Sequence, residues 1–282
     1  MWLQLAATVE ESLAERVSDW FSAQGALSVS LDDAGDQPLF EPPPGETPLW
    51  NLTKVTGLFE ADAEVEGLEA AALQAFGEGL VSWSSSVLDD QVWERAWMEH
   101  FQPMKFGQRL WICPTGFEPP EPSAINILLD PGLAFGTGTH PTTALCLRWL
   151  DSLRWDGQTV LDFGCGSGIL AVAALRLGAC RAVGVDIDPQ ALTATYDNAL
   201  KNGVEGHLQC CAADVAGTLD SFDVVVANIL AGPLVDLSQS ILSHLRPGGD
   251  IALSGILEEQ ARSVRDAYAP VSYTHLTLPT KA

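Results

Sequence analysis

The chain has 282 residues, enough for about two domains, and 47% of them are hydrophobic, which is ample for buried cores and excludes global disorder. The net charge is −23 and uneven: residues 1–100 carry 19 acids against 3 bases, residues 101–282 carry 18 against 11. Phosphate contacts need clustered Lys and Arg, so direct nucleic-acid binding is disfavoured, and without eighteen consecutive apolar residues no membrane span is expected. Met1-Trp2-Leu3-Gln4-Leu5 is too short an apolar start, too soon followed by acids, for a secretory signal. The six cysteines (113, 146, 165, 180, 210 and 211) form no C-x-x-C pair, so no metal site is expected and a reduced, cytoplasmic setting is the simplest reading.

In chain order, residues 1–88 read as strand, helix, strand, strand, helix, strand. Trp2–Ala7 alternates; Leu13, Val17, Trp20 and Phe21 form a helical stripe within 10–24, and Gly25 stops it. Strands follow at 26–31 and 49–60, around a loop with Pro42-Pro43-Pro44-Gly45 at its centre; then a helix at 65–76 and a strand at 80–88. This βαββαβ order predicts a ferredoxin-like α+β module. Its acidity has two readings, a solubilising surface or an attraction for a basic partner. Residues 89–103 predict a linker helix whose Val92, Trp93, Trp97 and Phe101 lie at helical spacing, as packing between modules would require.

Short strands at 108–114 and 125–129 lead into Leu129-Asp130-Pro131-Gly132-Leu133-Ala134-Phe135-Gly136-Thr137-Gly138-Thr139-His140-Pro141-Thr142-Thr143. So much unusual loop chemistry before an apolar helix (144–153) suggests a segment that folds over a ligand, the plainer reading being a capping loop with Thr139 as N-cap and Pro141 in the first turn. From Thr159 the βα alternation is regular. Strands are predicted at 159–163, 181–185, 207–210, 222–227 and 250–253, with helices at 168–177, 189–202, 231–245 and 257–269. Parallel strands with helices on both faces follow, and ligands in such sheets sit beyond the C-terminal strand ends. Gly164, Asp186 and Asn228 all fall there.

Val160-Leu161-Asp162-Phe163-Gly164-Cys165-Gly166-Ser167-Gly168-Ile169-Leu170 reads as a buried strand, a tight turn and a helix start. Gly164 and Gly166 allow close backbone approach to a ligand. Asp186, at the tip of the next strand, can take both hydroxyls of a ribose. A dinucleotide fingerprint wants a small residue where Ile169 stands, so an adenosine ligand without a pyrophosphate fits better than NAD. The other reading is a glycine-rich turn in an unrelated α/β domain.

Asp-Phe-Gly-Cys-Gly-Ser-Gly resembles the first motif of class I S-adenosylmethionine-dependent methyltransferases. With 129–143, Gly184-Val185-Asp186-Ile187-Asp188-Pro189-Gln190-Ala191 and Val225-Val226-Ala227-Asn228-Ile229-Leu230-Ala231-Gly232-Pro233, the chain is similar to the bacterial ribosomal protein L-eleven methyltransferase (PrmA) family. The resemblance implies a substrate-recognition domain at 1–88, a linker helix at 89–103 and a Rossmann-like methyltransferase domain at 104–270. The tail 271–282 departs from the family pattern. It implies S-adenosylmethionine as methyl donor and, as partner and substrate, a basic large-subunit ribosomal protein methylated on lysine ε-amines and its N-terminal α-amine. A cytoplasmic monomer without membrane or metal is expected. By position, Thr143, Gly164, Gly166, Asp186 and Asn228 would contact the donor: Asp186 the ribose, Thr143 the methionine end.

Asn228 would also orient the amine or the methionine. The aromatic and prolines that stack planar amines elsewhere are absent from Asn228-Ile229-Leu230-Ala231, which favours a tetrahedral aliphatic amine; a strand-end Asn bonding only backbone is the plainer reading. His140 is a candidate general base or a structural loop residue. Rival readings are a methyltransferase for another basic protein or small amine, a non-catalytic adenosine-binding protein, and an NAD-linked dehydrogenase disfavoured by Ile169.

Overall fold

The computed structural model describes residues 2–35, 37, 48–88, 102–129 and 140–269. Residues 89–101 of the predicted linker helix, the loop at 130–139 with Thr139, the Pro42–Gly45 turn and the tail from 271 lie outside the described residues; Gln102 and Pro103, the last two of the predicted helix, are not helical. The chain divides into two compact units, Met1–Ala96 and Trp97–Ala282.

In the first unit, strands β1 (Trp2–Glu10), β2 (Ser28–Asp33), β3 (Leu52–Glu60) and β4 (Leu80–Leu88) form one antiparallel sheet in the order β2-β3-β1-β4. Helices α1 (Glu11–Ala23) and α2 (Val65–Phe76) follow β1 and β3, the ferredoxin-like arrangement. Alternation dictates the packing. Leu3, Leu5, Ala7 and Val9 of β1 meet Val55 and Phe59 of β3 and Ala14, Val17 and Phe21 of α1 in one core.

The second unit opens with a small sheet, β5 (Met104–Phe106), β6 (Leu110–Cys113) and β7 (Ile125–Leu128), in which β5 was not anticipated because three residues carry too little periodicity to read. Helix α3 spans Pro141–Ser152. The main sheet contains β8 (Thr159–Phe163), β9 (Arg181–Asp186), β10 (Leu208–Ala212), β11 (Phe222–Asn228) and β12 (Leu245–Ser254), all parallel, in the order β10-β9-β8-β11-β12. Between them run α4 (Ile169–Leu177) and α5 (Pro189–Lys201), the short helices α6 (Ala231–Asp236) and α7 (Ser238–Ser243), and α8 (Ala261–Tyr268) after β12.

Both sheet faces are covered, which is why the strands read as nearly continuous apolar runs. Val160, Ala182, Val224 and Val226 point into a core with α3, α4 and the small sheet. Their neighbours Leu161, Val183, Val185, Val225 and Ala227 point the other way, against Leu234, Ile241, Val264 and Tyr268 of α6, α7 and α8. The single helix predicted over 231–245 is two helices broken at Leu237, which has left the helical region (φ −95°, ψ 8°). The strand predicted at 250–253 begins at Leu245, and its register against β11 shifts between Phe222 and Val224, where Pro247-Gly248-Gly249 intervenes.

Candidate functional site at the strand ends

The strand order reverses at β8: β9 and β10 lie to one side, β11 and β12 to the other. In a parallel sheet this is where adjacent loops part and a crevice opens at the C-terminal ends. The turn after β8 and the end of β11 face that point.

Gly164, Gly166 and Gly168 all have positive φ (77°, 54° and 74°). Gly164 answers to an internal constraint as well as to any ligand, since a Cβ there would overlap Cγ2 of Ile229. The backbone N–H groups of Gly164 and Cys165 both donate to the Val185 carbonyl, at 2.7 and 3.0 Å, so the turn is clamped to β9. The next N–H, of Gly166, donates to Oδ2 of Asp186 at 2.9 Å. Oδ1 of Asp186 accepts from the Asp188 N–H at 3.0 Å. Each carboxylate oxygen therefore has one backbone partner and one acceptor position to spare, and the half-buried group is held at a fixed orientation beside the turn.

On the other side of the crevice, Nδ2 of Asn228 donates to Oγ1 of Thr143 at 3.1 Å, while Oδ1 of Asn228 is buried with no hydrogen-bond partner among the described residues. Ser254, at the end of β12, donates to the Thr142 carbonyl at 3.2 Å. The start of α3 is thus tied to the ends of both β11 and β12, and Thr143 and Asn228, 85 residues apart in sequence, act as one unit. That helix begins earlier than predicted, and its N-cap is His140 rather than Thr139. Pro141 brings no N–H and biases the residue before it to an extended backbone (φ −69°, ψ 134°), which makes His140 the cap. Nδ1 of His140 accepts the Thr142 N–H and lies 2.6 Å from Oγ1 of Thr142. The structure gives this histidine a capping role.

Asp162 lies in β8, beside the glycine turn. It is 1% exposed. Oδ2 accepts the Ala171 N–H at 3.0 Å, and Oδ1 is buried without a partner among the described residues. Burial pushes its carboxyl up to about 7; the Ala171 hydrogen bond opposes that, and the charge of nearby Asp186 adds to it. An acid inside an otherwise apolar strand was the available signal.

A cleft of about 400 Å³ opens at the opposite, amino-terminal edge of the sheet, lined by Trp155, Gln158, Asp223 and Arg246 among others. Asp223 is spoken for: it accepts from Thr159 N–H and Oγ1 and pairs with Arg246 at 2.8 Å, and these contacts hold it below the usual carboxylate range, the Thr159 N–H foremost. Two buried side-chain oxygens without a partner among the described residues, Oδ1 of Asp162 and Oδ1 of Asn228, lie instead toward the carboxyl ends of β8 and β11.

The family model described as ribosomal protein L11 methyltransferase (PrmA) matches residues 1–281. The chain belongs to that family. A curated relative from Methylococcus capsulatus, named ribosomal protein L11 methyltransferase, is 57% identical over 270 residues, covering 95% of this chain and 92% of the relative. One of the same name from Actinobacillus pleuropneumoniae is 54% identical over 271 residues, again covering 95% and 92%. Among solved structures, the ribosomal protein L11 methylase of Lactobacillus delbrueckii subsp. bulgaricus is 35% identical and superposes with a TM-score of 0.57, covering 64% of this chain and 94% of that one. The Rossmann-like methyltransferase fold expected from the glycine turn is the fold observed.

Proposed function

We propose that this chain transfers methyl groups from S-adenosylmethionine to lysine ε-amines and the N-terminal α-amine of ribosomal protein L11, acting in the cytoplasm as a monomer. The observation that carries this reading is the convergence at the switch point: a glycine turn clamped against Asp186 on one side, and on the other the Thr143–Asn228 pair, whose Oδ1 has no partner among the described residues. The residues fit a nucleoside joined to an amino acid. Asp186 retains acceptor positions for two ribose hydroxyls, and Oδ1 of Asn228 is a neutral acceptor for an ammonium or amine N–H. Gly164 and Gly166 leave the turn free of side chains where the nucleoside would lie.

S-adenosylmethionine supplies a methyl group already activated on a sulfonium, so positioning provides much of the catalysis. What the protein must still do is present an uncharged nitrogen. A free lysine has a pKa of about 10.4, leaving roughly one in 2,500 neutral at pH 7, whereas an α-amine near 8 needs far less help. The apolar residues around the strand ends, Ile187 and Leu230 among them, are exposed and would desolvate an entering ammonium and lower its pKa. Asn228 accepts a hydrogen bond without adding a charge, which suits a nitrogen that must lose its proton. The acidic first unit suits a basic protein substrate.

The test is mass spectrometry of purified L11 incubated with the enzyme and the methyl donor. Methyl-sized increments on lysines and on the N-terminal residue support the reading; an unmodified L11, alongside methylation of some other protein or amine, refutes it.

A further inference from the structure

Helix α5 packs against the glycine turn and should, by the 3.6-residue period, present apolar residues to it. It presents Thr195 and Asn198, and Asn202 caps its C-terminal end one turn on; the three are buried, at 0%, 7% and 7% exposure. Their hydrogen bonds form a ladder. Oγ1 of Thr195 donates to the Gly166 carbonyl at 3.0 Å, and Nδ2 of Asn198 donates to the Ser167 carbonyl at 2.8 Å. Thr195 also closes the end of the turn sterically, since a Cβ on Gly168 would come within 2.7 Å of its Cγ2. Asn202 fixes the far end of the ladder: Nδ2 donates to the carbonyls of Leu128 and of Asn198, both at 2.8 Å, and Oδ1 accepts the Leu128 N–H at 2.8 Å.

Two neighbouring carbonyls of the turn are held by backbone donors instead. The Cys165 carbonyl accepts from Gly168 N–H at 2.7 Å and that of Gly168 from Val172 N–H at 2.9 Å. The two carbonyls between them depend on side chains of α5. Because the peptide unit is planar and trans, pinning the Gly166 carbonyl toward α5 turns the next N–H away from α5, and pinning the Ser167 carbonyl does the same one residue later. Side chains on α5 therefore set the rotation of the peptide planes that form the floor of the crevice. Three glycines, each free to adopt many backbone states, need such an external fixture.

We propose that Thr195 and Asn198 are positioning residues for methyl-donor binding, and that Asn202 holds their helix in place by clasping the backbone of Leu128 at the end of β7. They act on the donor through the peptide planes of the glycine turn. The proposal rests on the reading of that crevice as the S-adenosylmethionine site.

The experiment is calorimetric titration of the full chain with S-adenosylhomocysteine, at a temperature well below each variant's melting midpoint. Wild type must bind first; if it does not, the donor-site reading itself has failed. Given wild-type binding, Asn198→Ala and Thr195→Val should each weaken the affinity about tenfold, the effect of one lost buried hydrogen bond. Thr195→Ser, which keeps the hydroxyl, should bind within about twofold of wild type. Thr193→Ala, on the exposed side of α5, should bind as wild type does. A merely structural role would lower the melting temperature and leave the dissociation constant of the folded variants unchanged, and that result overturns the proposal. Should Asn198→Ala fail to fold, the contrast between Thr195→Val and Thr195→Ser decides alone: equal affinities overturn the proposal and a tenfold difference supports it.

Discussion

Asp186 and Asp162 are two carboxylates in neighbouring strands with opposite circumstances. Asp186 is half-buried, and each of its oxygens meets a backbone N–H, so it is oriented and still able to accept. If Asp186 holds the ribose as proposed, Asp186→Ala should weaken S-adenosylmethionine binding roughly a hundredfold by calorimetry, two hydrogen bonds being lost. Unchanged affinity would remove the ribose role. Asp162 is buried, with one oxygen unpartnered among the described residues and its carboxyl raised by burial from 3.8 to about 7. A raised acid pKa means that the folded state holds a proton the unfolded state has released. Its contribution to stability is therefore full below about pH 4 and is lost as pH rises through 7. Asp162→Asn mimics the protonated form, so thermal melts should show it gaining on wild type by more at pH 8 than at pH 5. An equal difference at both pH values would contradict the assignment. The sequence showed Asp186 by its place after an apolar strand. It did not show that Asp162 is the acid under strain, because that depends on α4 lying over it.

The parallel strands and the helices α4 and α5 were legible as elements because burial on both faces leaves long apolar runs and the turns between them are marked by glycine or Asp-Pro. The ferredoxin-like order was legible for the same kind of reason, alternation on a half-covered sheet. Other features were hidden, three of them close to the site or to the helices that cover the sheet. The break at Leu237 leaves the hydrophobic pattern intact. The start of α3 depends on which residue caps it, and a histidine is a less familiar cap than a threonine. Thr195, Asn198 and Asn202 look like ordinary surface residues until the helix is placed, since a lone sequence does not say which face a polar residue takes. The glycine turn offers a test at this scale. Gly164→Ala would impose a strained φ and an overlap with Ile229 and should cost roughly 1–3 kcal/mol. A denaturant midpoint equal to wild type would show that the turn is looser than described.

At the scale of the molecule, charge is the clearest feature. The first hundred residues hold 19 of the 37 acids, including Glu64, Glu66 and Glu69 around the start of α2. If this unit gathers a basic ribosomal protein, the KM for L11 should rise steeply with ionic strength while the KM for the methyl donor stays flat, since exposed charges are screened over about 8–10 Å at physiological salt. Reversing Glu64, Glu66 and Glu69 to Lys should raise the KM for L11 several-fold and leave kcat unchanged. A KM for L11 indifferent to both salt and these substitutions would assign the acids to solubility alone.

The measurement that bears most directly on the whole account is a crystal of this chain soaked with S-adenosylmethionine. The nucleoside should lie over the glycine turn with its ribose on Asp186 and its methionine end toward Asn228 and Thr143. A dinucleotide preferred in that crevice, or a donor bound anywhere else on the molecule, would contradict it.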